Sequence, residues 1–342
     1  MFNSKVILIT GGTGSFGNAC LKYLYKNYKP KKIIIFSRDE LKQYEMQNSL
    51  IDDGYDSERI RFFIGDVRDQ PRLKLAFNGV DYIIHAAALK QIPAAEYNPQ
   101  ECINTNINGA NNVIFAALEQ DVKKVIALST DKACSPINLY GATKLASDKL
   151  FVSANILGGK KESTKFSVVR YGNVLNSRGS VIPLFKKILK SKKNSLPITH
   201  KNMTRFFISI KDGIKFVLES FSRMQGGEIF IPKLSSCYIK DIVKALNPNA
   251  SCHIVGVRPG EKLHEALCIE EESHLTIEFK KHFVIEPTIW EPSVNLRTYM
   301  IDKKKEKGKR VAQNFEYNSL KNKDMLDVNG IKKVLKKLDS EI

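Results

Sequence analysis

The sequence contains no apolar run long enough to cross a bilayer. Runs such as Val6–Ile9 and Ile33–Phe36 fall far short of the roughly 20 residues a spanning helix needs. Cysteine is sparse and scattered. Cys20, Cys102, Cys134, Cys237, Cys252 and Cys268 form no C-x-x-C pair and no zinc-ligand spacing. This argues against a disulfide framework and a metal site, and predicts reduced thiols in a cytoplasmic protein. A signal peptide is also missing from the pattern: Thr10-Gly11-Gly12 follows a single short apolar run, too early for a cleavage site. There is no internal repeat, no helix-turn-helix and no RNA-binding motif.

What is present is ordinary for a globular chain. Hydrophobic residues make up 43% and charged residues 26% of 342 residues, which excludes a mainly disordered protein. The length predicts about two domains, or one large α/β domain. Charge is the outlier, with 54 Lys and Arg against 36 Asp and Glu, a net of +18. Phe185–Arg205 carries seven Lys/Arg and no acid, and Lys303–Ile342 carries twelve against six, so these stretches hold thirteen of the eighteen charges. Such basicity suits nucleic acid, an anionic membrane or a phosphorylated substrate. The plainer reading is a solvated lysine-rich surface, and no recognition motif interleaves the lysines against it.

The first half alternates two periodicities. Apolar runs at Lys5–Thr10, Lys31–Phe36, Ile60–Ile64, Val80–His85, Val125–Ser129 and Val168–Tyr171 read as strands. Helical spacing fills the gaps, at Ser15–Tyr28, from Asp39 onward and at Gln100–Glu119. Strands separated by helices imply βαβ units and a parallel, doubly wound Rossmann-type sheet. Past residue 175 the pattern becomes mixed, with helices at Val181–Lys190 and Lys211–Arg223 and strands at Phe206–Ile210 and Glu228–Ile231. The expected organisation is a dinucleotide-binding domain over 1–175, a smaller substrate lobe over 176–300 with chain crossings between them, and a basic extension over 301–342. The extension ends in an amphipathic helix, Val328–Leu338, whose role the sequence does not disclose.

Thr10-Gly11-Gly12-Thr13-Gly14-Ser15-Phe16-Gly17 links the first strand to the first helix. Glycines permit the tight turn and the close approach of backbone to a pyrophosphate, which then faces the helix N-terminus. Strand before, helix after and position near the start of the chain make this glycine motif specific. Ser37-Arg38 follows the second strand, with Lys42 a turn later. An acid at that point selects ribose hydroxyls, whereas Arg38 offers a planar fork to a 2′-phosphate, so NADP is expected. Asp39 and Glu40 more naturally open the next helix. Asp66, followed by Val67 after the third strand, is placed to meet the adenine or to cap a turn.

Tyr140 and Lys144 are four residues apart and share one helix face. A neighbouring ammonium lowers a phenol toward working pH, so Tyr140 can act as a base. Ten residues earlier a strand ends in Thr130-Asp131-Lys132, at the end of a parallel strand, where ligands bind in this architecture. In isolation Asp131-Lys132 reads as an exposed charge pair. Beside Tyr140 and Lys144 it reads as part of an active site.

These motifs resemble the extended short-chain dehydrogenases/reductases. Ser37-Arg38-Asp39-Glu40, Gly65–Asp69, His85–Gln91, Leu128–Ala133, Arg170–Val174 and Arg258–Glu265 further resemble the nucleotide-sugar 4,6-dehydratase branch, above all its inverting UDP-N-acetylglucosamine group of the pseudaminic acid type. The resemblance runs from about residue 3 to at least 290. It implies NADP held at Gly11, Thr13, Gly14, Ser15, Phe16, Gly17, Ser37, Arg38, Lys42, Asp66, Val67, Ala86 and Lys90, together with Tyr140 and Lys144. It implies a UDP-sugar against Lys90, Asn173, Thr199, Arg258 and Glu261, with Arg205 a further cation. It also implies C4 oxidation by Tyr140 with Lys144, a Thr130 hydrogen bond to the C4 oxygen, and C5 deprotonation and C6 dehydration by Lys132 and Asp131. As a base, Lys132 needs a lowered pKa. Tyr140 separates this group from related 4,6-dehydratase/5-epimerases, which typically have Met there. The resemblance implies a homo-oligomer too. Rival readings are a UDP-sugar 4-epimerase or ketoreductase, which has no need of Asp131-Lys132, an NADP-sensing regulator, and a nucleic-acid binder supported only by the charge.

Overall fold

The computed structural model describes residues 1–157, 164–175, 180–191, 194–289 and 299–339. Lys192 and Lys193 of the basic run, and residues 340–342 of the tail, lie outside the described residues. Six strands form the heart of the sheet: β1 (Val6–Thr10), β2 (Lys32–Ser37), β3 (Ile60–Ile64), β4 (Tyr82–His85), β5 (Lys124–Thr130) and β6 (Lys165–Tyr171). They pair in parallel in the order β6-β5-β4-β1-β2-β3. Both faces are covered, which is why Ile7–Ile9 and Ile33–Phe36 are continuous apolar runs, all buried, rather than alternating ones. The chain winds one way from β1 to β3 and the other way from β4 to β6. The reversal opens a crevice beyond the carboxyl ends of β1 and β4.

Seven helices flank these strands. They are α1 (Ser15–Asn27), α2 (Glu40–Asp52), α3 (Gln70–Phe77), α4 (Ile92–Tyr97), α5 (Pro99–Ile103), α6 (Gly109–Glu119) and α7 (Leu139–Ser153). Polar residues start several of them. Asp39 caps α2 through the Lys42 amide, Asp69 caps α3, and Asn138 caps α7. The helical stretch expected over Gln100–Glu119 is interrupted by a π-turn at Asn104–Asn108. There Asn106 turns inward, its amide donating to Leu89 O and to Thr143 Oγ1 on α7. Widened turns of this kind recur at functional sites.

The second half supplies β7 (Asn173–Val174), α8 (Val181–Lys190), β8 (Ser195–Ile198), β9 (Thr204–Ile208), α9 (Ile210–Arg223), β10 (Ile229–Pro232), β11 (Ser235–Tyr238), α10 (Ile239–Leu246) and β12 (Ser251–Ile254). Then follow β13 (Ala266–Cys268), β14 (Thr276–Glu278), β15 (His282–Ile285), β16 (Lys309–Arg310), β17 (Tyr317–Asn318) and α11 (Val328–Asp339). A boundary at 175 does not partition them in space. β10 joins the main sheet parallel to β6, and β15, β14 and β16 extend it to ten strands. Helix α9 packs on α1 and belongs to the same layer. The smaller lobe is the β11-β9-β7 sheet, the β8–β12 pair and helices α8, α10 and α11.

The basic extension is integral to both parts. β16 edges the large sheet, β17 pairs with β13, and α11 closes the second core. Ile331, Leu335 and Leu338 of α11 are buried with Ile242 and Val243 of α10, while Lys333, Lys336 and Lys337 stay exposed. Among the described residues no helix is long and apolar enough to cross a membrane, and no cluster of His, Cys, Asp and Glu has the makings of a metal site.

Truncating Leu335 to Ala should remove a core side chain and lower the unfolding free energy by about 2–4 kcal/mol. Urea unfolding followed by circular dichroism measures this, and an unchanged midpoint would mean that α11 does not stabilise the lobe.

Candidate active site

At the crevice the chain leaves β1 through Gly11, whose φ of +65° suits glycine. A Cβ on Gly11 would lie 2.9 Å from Ala87 Cα, and one on Gly17 would lie 2.4 Å from Gly12 O. The turn therefore presses against the end of β4, and α1 starts directly on top of it. Gly14, the residue before α1, brings no side-chain cap, so the first amides of α1 face the crevice for an anion. Thr13, Gly14, Ser15 and Phe16 line a cleft of about 750 Å³.

The far wall of this cleft holds Ser37, Arg38 and Lys42 after β2, and Asp66 and Val67 after β3. Gln43 fixes the Ser37 hydroxyl at 2.9 Å. Lys42 is ion-paired with Asp39, and Arg38 Nη1 stands 3.7 Å from Asp66 Oδ2. Asp66 also takes the Arg68 amide at 3.0 Å, so it caps a turn while facing the cleft. Ala86 and Lys90 close the side nearest β4. Glycine cradle and uncapped helix start fit the pyrophosphate of a nicotinamide dinucleotide, with Arg38 and Lys42 on the same wall beyond β2.

The opposite end of the same cleft carries the ionisable groups. Thr130, Lys132, Tyr140, Lys144 and Asn173 all line it. β5 ends at Thr130 and breaks into a 3₁₀ turn over Asp131–Ala133, with the Thr130 hydroxyl accepting the Lys132 amide at 3.3 Å. This turn sends Asp131 inward, fully buried, and Lys132 toward the cleft. Lys132 Nζ donates to Asp131 Oδ1 at 2.9 Å and lies 3.5 Å from Glu265 Oε1. The pair is not an exposed charge dipeptide.

The electrostatics differ from the expectation at two points. Burial favours the neutral amine of Lys132, but Asp131 and then Glu265 outweigh it and hold the ammonium above its ordinary value. A lysine poised low as a resting base is not what the site contains. Burial also pushes the Tyr140 phenol up to about 12, against the opposing Lys132 charge and the Thr130 hydroxyl. The cation acting on Tyr140 most strongly is therefore Lys132 rather than Lys144. Lys144 is buried and lowered by desolvation, with Asp148 pulling the other way.

The expected substrate residues divide. Asn173 lies on β7, paired with Phe207, at the edge of the cleft. Thr199 is buried and donates to Met203 Sδ at 2.9 Å, away from the cleft lining. Arg205 is also buried rather than offered to a ligand. Its guanidinium donates to the carbonyls of Thr204, Leu263 and Lys262 at 2.7, 3.0 and 2.8 Å. Arg258 is exposed on a turn closed by Glu261, with the Glu261 amide 3.0 Å from Arg258 O. Neither residue of that turn lines the cleft.

That turn is nonetheless fastened to the catalytic helix. Asn138 Nδ2 donates to Gly260 O at 2.8 Å, and Lys262 Nζ donates to Cys134 O. Three further residues matter that spacing alone did not single out. Asp148 follows Tyr140 and Lys144 on the same face of α7, buried, and accepts the Ser129 hydroxyl at 2.8 Å. Its place eight residues past Tyr140 was the available signal. Buried Arg170 stands between Asp148 at 3.5 Å and Glu272 at 3.0 Å. Glu265 comes from the loop before β13 and closes the Arg258–Glu265 motif, whose spacing does not disclose its approach to Lys132.

Comparison with known proteins accords with this geometry. Residues 7–287 match the model of a family described as polysaccharide biosynthesis protein. A Campylobacter jejuni protein named UDP-N-acetylglucosamine 4,6-dehydratase (inverting) is 56% identical over 335 residues, 96% of this chain and 98% of that one. A Rickettsia bellii protein named UDP-glucose 4-epimerase is 47% identical over 279 residues, 80% of each chain. Among solved structures, Pen from Bacillus thuringiensis has a TM-score of 0.86 at 34% identity, covering 98% of this chain and 99% of that one. The chain belongs to the polysaccharide biosynthesis protein family and carries the fold of the extended short-chain dehydrogenases/reductases.

Proposed function

We propose that the protein is an inverting UDP-N-acetylglucosamine 4,6-dehydratase. It would form UDP-2-acetamido-2,6-dideoxy-L-arabino-hexos-4-ulose for pseudaminic acid or a related surface glycan, in the cytoplasm and as a homo-oligomer. The observation that carries the reading is the Asp131–Lys132 ion pair, 2.9 Å long, whose Lys132 lines the same cleft as Tyr140 and Lys144 while Asp131 lies buried behind it. C4 oxidation and reduction need only the latter two. A second acid–base pair is what removal of water across C5–C6 requires. The likeness to inverting dehydratases over almost the whole chain supports the same reading.

NADP, when bound, supplies a hydride acceptor for C4 and later a hydride for C6. The chain's own residues handle the protons. Tyr140 takes the C4 hydroxyl proton, and the Thr130 hydroxyl steadies the C4 oxygen. Lys132 and Asp131 rest as ammonium and carboxylate. Moving one proton from Nζ to Oδ1 along their hydrogen bond leaves an amine and a carboxylic acid. Burial lowers the cost of that uncharged pair, although Asp131 and Glu265 keep the ammonium as the resting form of Lys132. The amine then takes the C5 proton, and the acid protonates the C6 hydroxyl as the C6–O bond breaks and water leaves. Both groups thereby return to their resting charges. As C6 takes the hydride, C5 takes a proton from solvent on its other face, which inverts it, and Tyr140 returns to solvent the proton it took from the C4 hydroxyl.

The 4-epimerase reading has the Rickettsia relatives' name in its favour. Mass spectrometry of full-length protein with UDP-N-acetylglucosamine in D₂O separates the two. Loss of one water with uptake of solvent deuterium is expected, and an epimer of unchanged mass would sink the dehydratase. Tyr140→Phe should keep NADP and the fold yet lower kcat by about 10²–10⁴. With the phenol raised to about 12, its deprotonated fraction grows with pH, so wild-type C4 oxidation should quicken as pH rises through the neutral range. A second expectation concerns the cofactor: Arg38→Ala should weaken NADP binding by at least about tenfold while changing NAD binding much less. Equal losses for both in a calorimetric titration would remove the case for NADP selectivity.

A further inference from the structure

The acid–base pair has a third buried neighbour that the steps above leave idle. Glu265 immediately precedes β13 and is 2% exposed. Its Oε1 lies 3.5 Å from Lys132 Nζ and 3.9 Å from Arg205 Nε, and its Oε2 has no hydrogen-bond partner among the described residues. Arg205 has another anion in Glu261, 3.5 Å from its Nη2, and three carbonyls also take its guanidinium. A carboxylate buried this deeply persists only against a cation, and the nearer cation is Lys132. The Lys132 ammonium is thus held between two carboxylates, one beside it in sequence and one delivered by the loop between β12 and β13.

Glu265 is also held from behind. Its amide donates to Ser319 Oγ at 3.0 Å and its carbonyl accepts the Ser319 amide at 2.8 Å. Ser319 Oγ is 2.7 Å from Thr204 Oγ1 beside Arg205. Tyr317, two residues earlier, packs on Phe206 and Phe283. The C-terminal strap therefore fixes Glu265 in its place behind Lys132.

We propose that Glu265 is a positioning residue for dehydration: through Oε1 it holds the Lys132 ammonium opposite Asp131 and sets how readily that ammonium releases its proton. The proposal rests on the dehydratase reading. Burial, followed by the neighbouring Asp131 charge, raises the Glu265 carboxyl above its ordinary range, which accords with a group whose charge matters to its neighbour. The charged and titratable groups around Lys132 are Asp131 on its own turn, Glu265 and Lys262 from the loop between β12 and β13, Arg205 on β9 and Tyr140 on α7. Removing the Glu265 charge leaves one anion among three other cation or proton-bearing groups, so Lys132 would lose its proton at lower pH.

The test compares full-length wild type and Glu265→Gln with UDP-N-acetylglucosamine across pH. C4 oxidation is followed by reduced-nicotinamide absorbance and water loss by mass spectrometry. Gln keeps the shape and both main-chain bonds to Ser319. The limb for water loss should move down by about one pH unit with kcat at least about tenfold lower, while KM stays within about threefold and the limb for C4 oxidation stays put. Glu265→Asp should return the limb to its wild-type position. Ser319→Ala, which leaves every charge in place, should lower kcat without moving either limb. A Glu265→Gln limb coincident with wild type overturns the proposal. Should that variant not fold, wild-type kcat in both Ser319→Ala and Glu265→Asp overturns it. Wild-type protein that removes no water overturns the dehydratase reading instead, and that result is seen before any variant is measured.

Discussion

The side chain of Asn138 works in two directions. Its Oδ1 accepts the Gly141 amide at 2.7 Å and so begins α7. Its Nδ2 donates to Gly260 O at 2.8 Å and so holds the loop that leads to Glu265. The start of the helix bearing Tyr140 and Lys144 is thereby tied to the loop between β12 and β13. The cap also explains why α7 can present a polar face inward. Tyr140, Thr143, Lys144, Ser147 and Asp148 are all buried, a costly arrangement that a helix held only by its apolar face would not maintain. Lys262 adds a second tie from the same loop to Cys134, just past the catalytic turn.

Burying that many charges is tolerable because their signs alternate. On one side run Lys144, Asp148, Arg170 and Glu272; on the other run Asp131, Lys132, Glu265 and Arg205. Each carboxylate lies near a cation, which repays part of the desolvation cost. Repayment is incomplete, since Asp131 Oδ2, Asp148 Oδ1, Arg170 Nε and Glu265 Oε2 have no hydrogen-bond partner among the described residues. Apolar replacements of similar volume would often be no less stable. A cluster of this kind makes sense where protons must move, because small changes of charge on one member shift its neighbours strongly. The raised Lys132 belongs to this logic. In the proposed reaction its proton is no obstacle to base catalysis, because the partner receiving it must become an acid in the same step.

The parts of the molecule readable from sequence are those whose causes are local. β1, β2 and β5 begin and end within a residue or so of the apolar runs, because fully covered parallel strands leave continuous runs bounded by glycines and cap residues. The residues proposed for the dinucleotide, from Gly11 to Lys90, sit mostly in the turns that follow strands, so one stretch of chain both makes the turn and lines the cleft. Beyond residue 175 the causes are long-range. Ile229–Pro232 and Thr204–Ile208 look alike as sequences, yet one joins the main sheet and the other the small one, decided by which neighbour each finds. Arg205 was legible as a cation but not as one whose donors are taken by Leu263 and Lys262. Glu265 reaches Lys132 from more than a hundred residues away, and no spacing rule encodes that.

The basic tail shows how composition can mislead in the same way. Counted as charge, Lys303–Ile342 suggests a sticky anion-binding appendage. Folded, it is a strap that edges the large sheet, pairs with β13, fixes Glu265 through Ser319 and ends as a helix whose apolar stripe closes the second core. Its lysines are exposed because a helix that buries three apolar residues must give its other face to water. The excess charge is then a by-product of solvating a structural element. In the proposed role of Glu265 the tail acts through one uncharged residue, Ser319, buried between Glu265 and Thr204.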